Sequence, residues 1–420
     1  MITIKNGRVF TGGRLCECDV FIEDGVVKKI APGLECKGEV IDAKGKIVCH
    51  GFIDMHVHLR EPGFENKETV KTGTEAAAAG GFTTICPMPN LNPVPDTVEN
   101  MEKQLDIIER DAVINVLPFA PITMGEKGKE IVDMIDLAPL CVGFSDDGKG
   151  VQSEEMMEEV MRKAGDMGVI ISAHCEDESL LEGGYIHKGK YSEKHGHRGI
   201  SSECEYAQVV RDIALAEKYG AHYHVCHISA KESIEAVRQA KKRGITTVTA
   251  EVTPHHIALC DMDITEDDGR FKMNPPLRDE SDREAIIEGL RDGTIDCIAT
   301  DHAPHTKEDK SKGLEKSAMG IVGLETAFAV CYTELCKKRG FSIESLLTLM
   351  TNGGKIIGEE YDLKEGAVAD ITVLDTECTY KIDAKNFKSK GRSTPFDGAE
   401  VSGRVTNTIA AGKEVYRYER

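Results

Sequence analysis

His56 and His58 stand one residue apart in the apolar run Phe52-Ile53-Asp54-Met55-His56-Val57-His58. In an extended strand alternate side chains share a face, so both imidazoles point the same way. Two nitrogens on one face can hold one metal ion at about 2.0–2.1 Å. Alone, such a pair in a strand is more often satisfied core than ligand. Other metal-binding residue types close later apolar runs: His174, His227 and Asp301, with Asp146 and Asp147 following Gly143-Phe144-Ser145. Together they predict a metal centre. Nitrogen-rich ligation with carboxylate suits zinc, although manganese, iron or cobalt also satisfy that donor set. Such a metal lowers the pKa of bound water toward ~7 and so supports hydrolysis near neutral pH. Asp301 can serve there both as ligand and as carrier of the proton. Arg60 follows His58 by two residues and is expected on the same face, where its guanidinium would grip a substrate carboxylate at two points.

These residues meet only if the chain brings its strand ends together. Apolar segments 52–58, 82–88, 113–119, 141–145, 169–174, 223–227, 246–252 and 297–300 alternate with helical segments. Eight such strands fit an α/β fold of the (β/α)8 TIM-barrel kind, whose chemistry sits at the C-terminal strand ends. An open doubly wound sheet fits the periodicity equally, but no Gly-x-Gly-x-x-Gly follows a strand to mark a dinucleotide site. Ser202-x-x-Glu205, Ser229-x-x-Glu232 and Ser281-x-x-Glu284 read as capping boxes at helix starts. Outside the barrel, residues 1–49 and 366–420 hold short alternating strands broken by turns such as Asn6-Gly7 and Asp24-Gly25. The expected division is a small β-sandwich domain from 1–49 plus 361–420, and a hydrolase barrel over 50–360.

The remaining histidines carry less. His222 and His224 precede the end of their strand and suit packing or support of a ligand. His255 and His256, after the seventh strand, suit a structural or supporting role. His187, His195 and His197 fall in a polar stretch, 183–199, that reads as a surface excursion. His50 and His302 have no assignment.

Composition narrows the partners. The 420 residues include 72 acidic and 52 basic side chains, a formal charge of −20. Such a surface repels nucleic acid and anionic lipid. No apolar run reaches the ~18 residues that cross a bilayer. Nor does the N-terminus read as a secretory signal. The fourteen cysteines stand singly in mostly apolar runs without any Cys-x-x-Cys, as reduced thiols do. The expectation is a cytoplasmic protein without nucleic-acid or membrane partners.

Several motifs sharpen this: Asp54-x-His56-Val57-His58-Leu59-Arg60-Glu61-Pro62-Gly63, Met88-Pro89-Asn90, Asp146-Asp147-Gly148, Ala173-His174-Cys175-Glu176-Asp177, Asn274-Pro275-Pro276-Leu277-Arg278, Asp301-His302-Ala303-Pro304-His305 and Gly320-Ile321-Val322-Gly323-Leu324-Glu325. Together, over nearly the whole chain, the sequence resembles the class I dihydroorotases of the amidohydrolase superfamily. The resemblance implies reversible closure of N-carbamoyl-L-aspartate to L-dihydroorotate and water, the third step of pyrimidine synthesis. It implies one or two zinc ions per subunit. One would sit on His56, His58 and Asp301 and a second on His174 and His227, with Asp147 bridging where many amidohydrolases use a carboxylated lysine; Asp146 stays open as the alternative. It adds Asn90 and His305 beside Arg60 as partners of the substrate carboxylate, and Asn274 with the Met319-Gly320 backbone for the pyrimidine edge. Many members carry phenylalanine where Met319 stands, which loosens that contact. It also leaves room for a homo-oligomer and for a complex with aspartate transcarbamoylase. The charged stretch 306–317 reads either as a mobile lid or as a plain solvated loop. Rival readings are another cyclic-amide hydrolase (a hydantoinase, dihydropyrimidinase or allantoinase) and a non-catalytic scaffold relative.

Overall fold

The computed structural model describes residues 1–419. Its central part is α/β with parallel strands. Phe52–Val57, Phe82–Pro87 and Asn115–Val116 form a three-stranded parallel sheet. Ile170–Ala173, His222–Val225, Val248–Val252 and Cys297–Ile298 form a four-stranded one. Single bridges continue the pairing between the two: Ala120 with Phe144, Phe144 with Ile171, and Val57 with His302. The expected fourth strand, 141–145, is thus reduced to bridging by Phe144. Close approach explains it in part, since a Cβ at Gly143 would fall 2.8 Å from the Ile170 carbonyl oxygen. Register matters more than strand length here. Val225 pairs with Ala173 on one side and Ala250 on the other, so His174 and His227 emerge just past the same level.

Helices cover these strands because each buries one apolar stripe. In Glu154–Met167 the buried residues are Met157, Val160, Met161 and Ala164, the i, i+3, i+4, i+7 spacing of a helix face. Ser153 caps its first turn through Met156 N, and Gly168 closes it in the left-handed region at φ 70°. Truncating Met161 to alanine would cost about 2–5 kcal/mol. The three expected capping boxes are absent. Ser202 is helical and makes no side-chain cap, Ala230 rather than Ser229 precedes Lys231–Lys242, and Asp279 caps Glu280–Asp292. Glu205 and Ser229 are instead drawn into a buried network described below.

Strands from both ends of the chain share one continuous eight-stranded sheet. Its order is Lys413–Arg417, Glu400–Ala410, Ile371–Lys381, Ile47–His50, Ile2–Thr11, Arg14–Glu23 and Val26–Ala31, with Glu39–Asp42 also paired to Ile2–Thr11. A separate apolar cluster fills it, including Ile4, Val20, Ile22, Val48, Ile371 and Val373. The 183–199 stretch is not a plain surface excursion. It forms Ile186–His187, Lys190–His195 and Gly199–Ile200, and Tyr185, Ile186 and Tyr191 pack with Phe271, Met273 and Leu314. His187 is buried there, while His195 is exposed. Alternation failed to reveal this because the buried residues are spread over three short elements.

Candidate metal centre

Sharp turns at the strand ends aim the chemistry. Arg60, His227 and Asp301 have φ of 62°, 29° and 48°, a region that L-residues enter at a cost of order 1–3 kcal/mol each. Asp54 holds one of these turns. Fully buried, it accepts from His56 N at 3.0 Å and from Thr300 N at 3.0 Å, binding the first strand to the residue before Asp301. Burial pushes its carboxyl up to about 7. His58 N donates to His302 O at 2.8 Å and fastens the same junction.

Asp147 sits among four histidines. Its Oδ1 lies 3.2 Å from His56 Nε2, 3.8 Å from His174 Nδ1 and 3.9 Å from His227 Nε2, and its Oδ2 lies 3.5 Å from His58 Nε2. Asp301 Oδ1 is 3.0 Å from His58 Nε2 and 3.7 Å from His56 Nε2. His174 Nδ1 and His227 Nε2 face each other at 3.0 Å. All six side chains are buried. Four sets of ligand atoms lie mutually within 4.8 Å: His56, His58 and Asp301, and His56, Asp147 and His227 at the cluster, with His56, Cys226 and Glu251, and His224, Glu251 and Cys297, behind it. Asp146 turns away. Its Oδ1 accepts from Ile122 N at 2.8 Å and Thr123 N at 3.0 Å, and its Oδ2 accepts from the Thr123 hydroxyl.

The donor set fits a cation. His56 Nε2 and Asp147 Oδ1 are buried without a hydrogen-bond partner, an arrangement that costs free energy unless something binds them. Burial alone would raise both carboxyls. Neighbouring histidines outweigh it, holding Asp147 well below the usual range and Asp301 down to about 2. Burial, with the His174 and His56 charges, pushes His227 down to about 3, which keeps it neutral as a ligand must be.

A ring of supporting residues surrounds the cluster. Asn90 Oδ1 lies 2.9 Å from His58 Nδ1 and its amide donates to Asp147 Oδ2 at 3.2 Å. Asn274 Nδ2 donates to Glu176 Oε2 at 2.7 Å and lies 3.4 Å from His174 Nε2. His305 Nε2 lies 2.8 Å from Met319 O, and since a carbonyl only accepts, the proton is on Nε2. Arg60 Nη2, 3.5 Å from that nitrogen, therefore makes no hydrogen bond to it; Arg60 Nε donates to Pro304 O at 3.3 Å. Gly320, at φ 126°, donates its N–H to Lys272 O and accepts from Lys310. A Cβ there would fall 2.7 Å from Ala303 Cβ.

The structure brings His56, His58, Asp147, His174, His227 and Asp301 together with Asn90 and Asn274 against them, and sets Arg60, His305 and Met319 in a second group of contacts. The strand ends at Val57, so it is the left-handed turn, not strand alternation, that brings Arg60 next to His305. His224 Nε2 lies 3.2 Å from Glu251 Oε2, and His256 is bonded to Thr253 and Pro275. Glu251 itself was missed. Its signal was a lone carboxylate inside the apolar strand Val248–Val252.

The fold and the histidine–aspartate cluster define a cyclic amidohydrolase. Solved structures similar in fold include an L-hydantoinase (dihydropyrimidinase) from Arthrobacter aurescens, with a TM-score of 0.89 at 25% identity over 100% of this chain and 96% of that one. A D-hydantoinase (dihydropyrimidinase) from Thermus sp. aligns with a TM-score of 0.84 at 25% identity, over 100% and 97% of the two chains. In sequence, the Dihydro-orotase-like family matches residues 45–233. A dihydroorotase of Fusobacterium nucleatum subsp. nucleatum is 51% identical over 416 residues, covering 98% of each chain. One of Bacillus cytotoxicus is 50% identical over 420 residues, covering 99% of this chain and 98% of its own. The chain belongs to the dihydroorotase family.

Proposed function

We infer that this protein is a dihydroorotase, closing N-carbamoyl-L-aspartate to L-dihydroorotate and opening it again, in pyrimidine biosynthesis. The observation that carries the reading is half-identity to dihydroorotases along the full chain. The site agrees with it. Hydantoinase-like chemistry with a bridging lysine has no counterpart after the fourth segment, where Asp147 stands among the histidines.

His56, His58 and Asp301 would hold one zinc ion, and His174 and His227 a second, with Asp147 between them. The metal, when bound, would activate water and polarise the amide carbonyl. Asp301, buried beside His58, would take the proton of the attacking water and pass it to the departing ring nitrogen. In the reverse direction it returns that proton to the oxygen leaving the side-chain carboxyl. Arg60, Asn90 and His305 would hold the substrate carboxylate. Asn274 and the Met319-Gly320 backbone would meet the pyrimidine edge.

The same reading takes the bridged strands of the central part as a closed (β/α)8 barrel over 50–360, with a β-sandwich from 1–49 and 361–420. Fourteen free thiols support a cytoplasmic location. No described helix is long and apolar enough to cross a membrane. Assembly as a homo-oligomer, or with aspartate transcarbamoylase, is open to light scattering on the protein alone and mixed with that enzyme.

Spectrophotometric turnover of dihydroorotate, beside hydantoin, 5,6-dihydrouracil and allantoin, with metal content measured on the same sample, tests the reading. Dihydroorotate should be hydrolysed far faster than the others. Turnover of dihydrouracil or hydantoin without dihydroorotate would sink it.

A further inference from the structure

Glu251 is a wholly buried carboxylate on a strand whose neighbours Val248, Ala250 and Val252 are also fully buried. An isolated buried carboxylate is expensive, so its partners decide what it does. Oε1 lies 2.9 Å from His56 Nδ1 and accepts from His227 N at 3.2 Å. Oε2 lies 3.2 Å from His224 Nε2, and His224 Nδ1 lies 2.8 Å from Thr249 Oγ1. Ionised, Glu251 only accepts. His56 Nδ1 therefore carries a proton toward Glu251, and its Nε2 faces Asp147 and Asp301. His58 is oriented by a different device, the neutral amide of Asn90.

One carboxylate therefore touches both halves of the cluster. It fixes the ring of His56 in the first half, and in the second it fastens the left-handed turn of His227 through its backbone. We propose that Glu251 is a positioning residue for the metal centre, setting the tautomer and aim of His56 and the turn that presents His227, with His224 and Thr249 holding Glu251 in turn. The proposal rests on the metal-centre reading above. Its physical basis is that a carboxylate behind a metal-bound imidazole fixes the ring and raises ligand basicity.

The test uses the full-length protein loaded with zinc. Glu251→Gln keeps the shape, and a flipped His224 tautomer can accept from the new amide. By the usual weight of such supporting residues, its zinc dissociation constant in chelator competition should rise about 10–100-fold. Zinc stoichiometry at saturation and the circular dichroism spectrum should match wild type. An affinity within twofold of wild type overturns the proposal. So does loss of a whole equivalent of metal, which would make Glu251 a ligand. A second measurement needs no variant: in 15N-histidine-labelled wild type the His56 Nδ1 proton should be present and hydrogen-bonded, and a bare Nδ1 overturns the proposal. Wild type that binds no metal would instead refute the metal-centre reading itself, so the two failures are distinct.

Discussion

The Lys310 ammonium lies 2.6 Å from the carbonyl oxygen of Gly320. It also donates to Ala318 O at 2.7 Å and Lys272 O at 2.9 Å, so its three protons meet three acceptors. Lys310 is buried within 306–317, the stretch that reads in sequence as lid or loop. The structure there is two single-turn helices, Lys307–Lys310 and Gly313–Lys316, anchored by this lysine to the segment before Gly320. Burial and the neighbouring Lys272 push Lys310 down to about 7. Lys310→Met leaves three carbonyls short of a donor and should destabilise the protein by about 1–3 kcal/mol, the usual cost of unsatisfied buried groups. Urea denaturation measures that loss. Limited proteolysis should also show faster cleavage within 306–317.

Asp146 and Asp147 are adjacent in sequence and opposite in surroundings. Asp147→Asn removes the charge that faces four histidines and should lower bound metal, read by elemental analysis, and abolish turnover. Asp146→Ala removes the acceptor of the bonds from Ile122 and Thr123 instead. It should lower stability by about 1–3 kcal/mol, the usual cost of an unsatisfied buried group, with metal stoichiometry kept. Equal metal loss in both variants would contradict the geometry.

The sequence made the candidate metal centre legible because metal-binding side-chain types at strand ends follow from alternation and from motif spacing. His56, His58, His174, His227 and Asp301 needed no contact information. Other parts were hidden for physical reasons. Glu205 and Ser229 look like capping residues three places from a partner, yet their side chains go to long-range bonds that local patterns do not encode. Phe144 bridges two strands as a single residue, too short a signal for periodicity. Arg60 depends on a positive φ, which no side-chain type announces when the residue is not glycine.

Glu205 and Arg278 form a buried pair at 3.0 Å, and Glu205 also accepts from Ser229 N and Ala230 N, just past His227. Burial raises the Glu205 carboxyl, but Arg278 and these donors outweigh it and hold it down to about 2 from 4.5. A depressed acid stabilises fully above its unfolded pKa and loses that contribution as pH falls through the folded one. The pair's protonation-linked stabilisation, about 3 kcal/mol at neutral pH, should therefore fade between pH 4.5 and about 2. Comparing urea denaturation of wild type and Glu205→Gln across that window checks it; a difference that stays constant with pH would refute the assignment. Arg278→Met, which strands the charge, should cost about 3–5 kcal/mol at pH 7.

Arg60 gives the sharpest separation of binding from metal chemistry. Its guanidinium lies beside His305 and Pro304, and none of its nitrogens bonds a metal-cluster residue among the described contacts. A net charge of −20 makes such a local cation matter, because an anionic substrate otherwise meets a repelling field. Arg60→Met should therefore raise KM for dihydroorotate by about 10–150-fold, the equivalent of losing a charged hydrogen-bond partner worth ~1.5–3 kcal/mol. Zinc content should stay at the wild-type value. Loss of zinc would place Arg60 in support of the metal rather than the substrate, and an unchanged KM would remove it from the site. Screening weakens the repelling field in both proteins but the Arg60 attraction only in wild type, so raising ionic strength should narrow the KM gap between wild type and Arg60→Met.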